Sequence, residues 1–94
     1  MKQQNTPKTY FVYLLECRDG SFYCGQTNDL EKRVELHNKG IASKYTSRKR
    51  PVKLIYSEKY FTRSEAMKRE YQIKQLTKKE KIELVFSKKM SNNK

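Results

Sequence analysis

Tryptophan is absent from the 94 residues, and there are only one histidine, two cysteines, two prolines and three glycines. Two cysteines and one histidine cannot build a tetrahedral Cys/His zinc site. So little Gly and Pro excludes collagen-like and low-complexity architectures. No run approaches the ~20 apolar residues of a membrane-spanning helix. The opening stretch MKQQNTPKTY has no apolar signal-peptide core, so a cytoplasmic protein with Cys17 and Cys24 as reduced thiols is expected. Acidic residues are the other shortage: 10 Asp and Glu stand against 22 Lys and Arg, a net charge of +12.

A chain of this length is one domain, burying roughly 60–70% of its unfolded surface. The hydrophobic share is only 35%, but those residues fall in periodic runs, which argues for a folded chain. A surplus of positive charge attracts polyanions. Nucleic acid is the first candidate partner, through phosphate contacts and counterion release. An acidic membrane surface is the second, but it calls for a basic amphipathic helix with bulky apolar residues.

Residues 1–8 are polar and contain Pro7, which predicts a flexible arm. Tyr10 to Cys17 (YFVYLLEC) predicts a buried strand and Ser21 to Thr27 (SFYCGQT) its partner, with Arg18-Asp19-Gly20 between them as a hairpin signal. Asn28 with Glu31 three later predicts a capped helix; Leu30, Val34 and His37 make its stripe and Asn38-Lys39-Gly40 stops it. Residues 41–50 predict a polar, basic loop, and Val52 to Tyr60 a third strand. Thr62 with Glu65 opens a helix to about Leu76, and Thr77 with Glu80 a short one to about Phe86. Residues 87–94 predict a disordered basic tail. The order β-β-α-β-α-α predicts an α+β domain over residues 9–86, a small three-stranded antiparallel sheet flanked by helices.

The hairpin loop decides which side chains share a face. A two-residue Asp19-Gly20 loop pairs Tyr13 with Gln26 and sends Tyr13 and Tyr23 to opposite faces. A three-residue loop is a type I turn followed by a left-handed residue, the position Gly20 suits. It pairs Cys17 with Ser21, Leu15 with Tyr23 and Tyr13 with Gly25. The two phenols then lie on one face as diagonal neighbours, beside the gap left by Gly25. The Gly20 position favours this register. Two readings stay open: an aromatic pair in the core, or two hydroxyls lining a site.

Polar residues also occupy apolar positions. Arg33 and His37 lie four apart on the first helix, and His37 completes its stripe. They make either a surface pair near the helix end or part of a site. On the next helix Ala66, Ile73 and Thr77 mark a stripe into which Glu70 points. A buried carboxylate needs a cation, a metal or partial exposure at a cleft. Lys74, four residues on, is the simplest partner. A hard cation such as Mg²⁺, which binds through one or two carboxylates plus water and phosphate, is the other.

Tyr13, Tyr23-Cys24-Gly25, Arg33, His37 and Glu70, in this order and spacing, resemble the GIY-YIG nuclease superfamily. Its two signature tripeptides match Phe11-Val12-Tyr13 and Tyr23-Cys24-Gly25. Its Arg-x-x-x-His helix motif matches Arg33 and His37, and its metal-binding Glu matches Glu70. The resemblance covers about residues 9–80 and is strongest to small stand-alone bacterial members, including the stretch Ala42-Ser43-Lys44-Tyr45-Thr46 and then Arg50-Pro51. Three departures stand out. Phe11 replaces the first Gly, Cys24 replaces Ile, and Gln75 to Val85 lacks the Asn of many relatives.

The resemblance implies a divalent-metal-dependent endonuclease hydrolysing phosphodiester bonds in DNA, with RNA as an alternative substrate. It implies one Mg²⁺ or Mn²⁺ on Glu70, Arg33 neutralising phosphate charge, and Tyr13 taking a proton from the attacking water. The metal, Arg33 and the positive field would favour the Tyr13 phenolate, with His37 relaying the proton. Tyr23 would orient water or phosphate. Lys44, Arg48, Lys49 and Arg50 would track the nucleic-acid backbone, or form a solvated charge run. A bare domain this small has little area for base readout, so weak sequence preference and structure-specific or single-stranded substrates are expected, in repair or recombination. A monomer with no membrane contact is expected. The competing reading is a non-catalytic nucleic-acid-binding module on the same fold; a protein-interaction domain has no positive sign in the sequence.

Overall fold

The computed structural model describes residues 8–92. The arm expected over residues 1–8 therefore lies outside the described residues except for Lys8, as do residues 93–94. Strands β1 (Tyr10–Glu16), β2 (Phe22–Thr27) and β3 (Lys53–Tyr60) form one antiparallel sheet in the order β2-β1-β3. Helices α1 (Leu30–Asn38), α2 (Lys44–Ser47), α3 (Arg63–Lys74) and α4 (Lys78–Asn92) complete the α+β domain, in the order anticipated apart from the extra turn α2.

The hairpin takes the three-residue loop. Gly20 has φ 85, Cys17 N–H donates to Ser21 O at 2.8 Å, and Tyr13 pairs with Gly25 and Leu15 with Tyr23. Alternation along β1 then divides the interior in two. Val12 and Leu14 face α3 and α4, packing with Cys24, Tyr56, Ala66 and Ile73. Tyr13, Leu15 and Cys17 face the other way and pack with Val52, Tyr23, Leu30 and Val34. The sheet is thus the middle of three layers. Between β1 and β3 the register shifts after Leu14, which opposes Tyr56 while Leu15 opposes Leu54, leaving Ile55 as a bulge.

The helix starts follow capping chemistry. Asp29, not Asn28, caps α1: its carboxylate accepts the Lys32 N–H at 3.1 Å. A charged acceptor three residues ahead of that amide wins over the neutral Asn28. Thr62 accepts the Glu65 N–H at 3.1 Å on α3. At α4, Thr77 Oγ1 accepts the Glu80 N–H while the Glu80 carboxylate accepts the Thr77 N–H, a reciprocal box.

Two local expectations are corrected. The loop over residues 41–50 contains the single turn α2, started by the Ser43 side chain accepting the Tyr45 N–H. Residues 87–92, expected as part of a disordered tail, continue α4. No Gly or Pro occurs between Lys78 and Asn92, and Leu84 and Val85 pack the helix on the core.

The sheet is tied to α3 by Glu58 on β3. Its carboxylate accepts from the Tyr56 hydroxyl, from Tyr60 OH at 2.6 Å, and from Arg69 Nε and Nη2 at 2.8 and 3.0 Å. Burial opposes the charge, but these donors outweigh it and hold the carboxyl below the usual carboxylate range. A depressed folded-state pKa gives stability that is fully present above the unfolded value and is lost as pH falls through the folded one. Glu58→Gln is therefore expected to cost about 1–3 kcal/mol at neutral pH. It should also flatten the loss of stability below about pH 4.5, both read from urea unfolding across pH.

Candidate active site

Tyr13 lies under Gly25, its partner across the hairpin. A Cβ on Gly25 would sit 2.6 Å from the Tyr13 hydroxyl, so the phenol extends over the strand through the space a side chain would fill. There it meets α1: Tyr13 Oη and His37 Nε2 are 3.0 Å apart. His37 Nδ1 is 2.7 Å from Thr46 Oγ1, and Thr46 Oγ1 is 3.5 Å from the Ser43 carbonyl. Tyr13 is 1% exposed, and His37 and Thr46 are 0% exposed. The polar line from β1 through α1 to α2 is thus sealed from solvent.

Tyr23 covers that line. Its ring centroid is 6.4 Å from Tyr13 and 5.0 Å from His37, in tilted and edge-on arrangements. Tyr45 stacks outside Tyr23 at 6.0 Å and is exposed. The aromatic rings therefore run from core to surface, with Tyr23 half-buried in the middle.

The ionic groups stand around this stack. Arg33, half-buried on α1, lowers the Tyr13 pKa, while Glu70 raises it. Glu70 belongs to the other helical layer, with its own carbonyl 4.0 Å from Cys24 Sγ. Its charge still acts on Tyr13, more weakly than burial, Tyr23 or Arg33. The Glu70 carboxylate is 20% exposed and pairs with Lys74 Nζ at 2.9 Å through Oε2. Glu70 thus has the simple lysine partner of the sequence reading, and it is also partly exposed.

Burial decides the protonation states. Desolvation, with Tyr23 beside it, pushes the Tyr13 phenol well above its ordinary range against the pull of Arg33. Burial thus works against the phenolate that the resemblance implies, and Arg33 works toward it. His37 is pushed below its ordinary value by burial first and by Arg33 second, so it is a neutral imidazole able to accept a proton.

The basic segment is divided. Lys49, expected on the nucleic-acid backbone, is half-buried; it pairs with Asp19 at 2.7 Å and lies 4.6 Å over the Tyr45 ring. Arg50 is exposed, donates from Nε to the Ser47 carbonyl at 2.8 Å and packs over Gly40. Lys44 and Arg48 are exposed and line an open surface hollow with Tyr45 and Ser47. Sequence reading missed Tyr45, Thr46 and Asn38, whose side chain pairs with both backbone groups of Val52 at 2.7 and 3.0 Å. The stretch Ala42-Ser43-Lys44-Tyr45-Thr46, similar to that of small family members, was the available signal for Tyr45 and Thr46.

A hairpin presenting two tyrosines, a helix presenting Arg and His, and a second layer presenting one Glu carry the residues by which the sequence resembles the GIY-YIG nucleases. The profile of the GIY-YIG catalytic domain matches residues 9–83, and the chain belongs to this nuclease family. It is 51% identical over 53 residues to UPF0213 protein YazA of Bacillus subtilis (strain 168), covering 56% of this chain and 54% of that protein. It is likewise 51% identical over 54 residues to a UPF0213 protein of Staphylococcus aureus (strain Mu3 / ATCC 700698), covering 57% of this chain and 66% of that protein. The matched part thus spans half to two thirds of these relatives. Two solution structures are similar. Protein EF2693 from E. faecalis has TM-score 0.62 and 42% identity over 88% of each chain. The UPF0213 protein BH0048 from Bacillus halodurans has TM-score 0.57 and 39% identity over 85% of each. No helix among the described residues is long and apolar enough to cross a membrane.

The contact over Gly25 makes a prediction. Gly25→Ala places a methyl where the Tyr13 hydroxyl sits and must displace a phenol that the core confines. The substitution is expected to cost about 1–3 kcal/mol in unfolding free energy. It should also shift the ring resonances of His37.

Proposed function

We propose that this domain is an endonuclease that hydrolyses phosphodiester bonds in DNA with one divalent cation, Mg²⁺ or Mn²⁺. The observation that carries the reading is the buried Tyr13–His37 pair, under the opposed charges of Arg33 and Glu70. Among the described residues no cluster of three metal-ligating side chains exists. Glu70 alone, with one oxygen on Lys74 and the other carboxylate oxygen left over, fits a hard cation that keeps most of its water and shares a phosphate. Such a cation, when bound, supplies Lewis acidity at the phosphate.

The protein's own groups do the rest. Arg33 offsets the negative charge that builds on the phosphate. Tyr23, between the buried line and the surface, orients the attacking water. Once substrate displaces the Tyr23 cover, the water oxygen forms the new bond to phosphorus as its proton passes to the Tyr13 oxygen. The Tyr13 proton passes to His37 Nε2, leaving an imidazolium, while the P–O bond to the leaving oxygen breaks and that oxygen takes a proton from solvent. The base is thus a neutral phenol backed by a neutral imidazole. Lys44 and Arg48 hold the backbone of the nucleic acid, while Lys49 and Arg50 shape the surface that presents them.

A second reading rests on the burial of Tyr13. If water is kept from it, the half-exposed Tyr23 is the base, and Tyr23→Phe then costs more activity than Tyr13→Phe.

Purified protein with Mg²⁺ or Mn²⁺ is expected to cleave DNA with little sequence preference, best where strands are single or branched. Glu70→Ala and Tyr13→Phe are each expected to slow cleavage by about 100-fold or more while retaining binding. Salt-dependent binding with no metal-dependent cleavage of duplex, single-stranded, branched or RNA substrates would overturn the reading in favour of a binding module. Lys44→Ala and Arg48→Ala should each reduce the slope of log affinity against log salt by about 1.

A further inference from the structure

We infer that Thr46 is a positioning residue for this site, holding His37 as the Nδ1–H tautomer so that Nε2 is left to accept the proton of Tyr13. The inference rests on the nuclease reading for its consequence, but on geometry for its substance. His37 has two ring nitrogens and a recorded partner for each: Tyr13 Oη at 3.0 Å and Thr46 Oγ1 at 2.7 Å. All three residues are sealed from solvent, so the protein alone sets the direction of both hydrogen bonds.

Two arrangements satisfy the ring. In one, Tyr13 donates to Nε2 and Nδ1–H donates to Thr46. In the other, Thr46 donates to Nδ1 and Nε2–H donates to Tyr13. Two facts select the first. The Thr46 hydroxyl has the Ser43 carbonyl at 3.5 Å as an outlet for its own proton, which leaves its oxygen free to accept. The Tyr13 hydroxyl has His37 as its recorded partner among the described residues, and a phenol donates more readily than it accepts. The chain is therefore directed: Tyr13 O–H to His37 Nε2, His37 Nδ1–H to Thr46 Oγ1, Thr46 O–H to Ser43 O. An unpaired imidazole tautomerises, and with the proton on Nε2 it blocks transfer from Tyr13.

Thr46 sits nine residues after His37, inside the one-turn helix α2 whose start is held by Ser43. This gives the short helix a use. It carries a buried hydroxyl to the far side of the imidazole, while neighbouring Tyr45 covers Tyr23 from outside. The catalytic cluster is thereby completed by a segment outside the two tripeptides, the Arg-His helix motif and Glu70.

His37 is the one imidazole of the chain, so its ring nitrogens are read from heteronuclear spectra of the uniformly labelled protein without assignment. The parent protein is expected to show a protonated Nδ1 and an unprotonated Nε2. Thr46→Val keeps the shape and removes the hydroxyl. It is expected to shift the proton toward Nε2, with kcat for metal-dependent DNA cleavage falling about tenfold or more and KM within about twofold. Thr46→Ser should restore the parent tautomer and most of kcat. An Nε2–H imidazole in the parent, or Thr46→Val with the parent's tautomer and kcat, would overturn the assignment. If Thr46→Val does not fold, the parent tautomer and the Thr46→Ser rates decide. The spectra need no turnover. A parent that cleaves nothing therefore refutes the nuclease reading, whereas the wrong tautomer refutes the role of Thr46.

Discussion

The hydrogen bond between Tyr13 and His37 is the contact around which the molecule is arranged. It joins the central strand to α1 through a buried layer, where neither partner has water to fall back on. Everything it needs is set by something else. The three-residue loop places Tyr13 opposite Gly25, the missing side chain of Gly25 gives the phenol its room, and Thr46 occupies the other ring nitrogen. A buried polar pair of this kind is costly when half-satisfied and specific when complete. It therefore links the register of the hairpin to the placement of α1 and α2.

The same burial shapes the chemistry. A phenol in water is a weak base, and positive charge alone would be the simple route to activating it. Here desolvation outweighs Arg33 and keeps Tyr13 protonated, while desolvation and Arg33 together keep His37 neutral. In the proposed reaction such a pair hands a proton along rather than storing a charge. The net charge of +12 is likewise not one uniform field. Lys49, Arg69 and Lys74 are each tied to a carboxylate, so these cations serve the architecture and the excess is carried by others.

Much of this was legible in the residue pattern. YFVYLLEC and SFYCGQT read as strands because few other arrangements bury so many aromatic and branched side chains in so short a run. Gly20 specified the loop, and the loop specified which tyrosines share a face. The capping boxes at Thr62 and Thr77 read correctly because they are local. At α1 the same logic chose Asn28 over its neighbour Asp29, a one-residue contest between two good acceptors that only the path of the chain resolves. The extent of α4 was underestimated because its last turns are polar, and what holds the helix is the packing of Leu84 and Val85.

The sequence by itself determined the hairpin register, the order of the elements and the identity of the charged and aromatic groups, since these follow from side-chain alternation, turn geometry and capping within a few residues. Tertiary structure alone decided how those groups behave. Lys49 and Lys44 are alike as letters, yet one is spent on Asp19 and Tyr45 and the other faces solvent. Tyr13 and His37 take their protonation from burial, and Thr46 acquires a role only because folding carries it to the imidazole. Proximity and desolvation are properties of packed neighbours distant in the chain, and no local pattern encodes them.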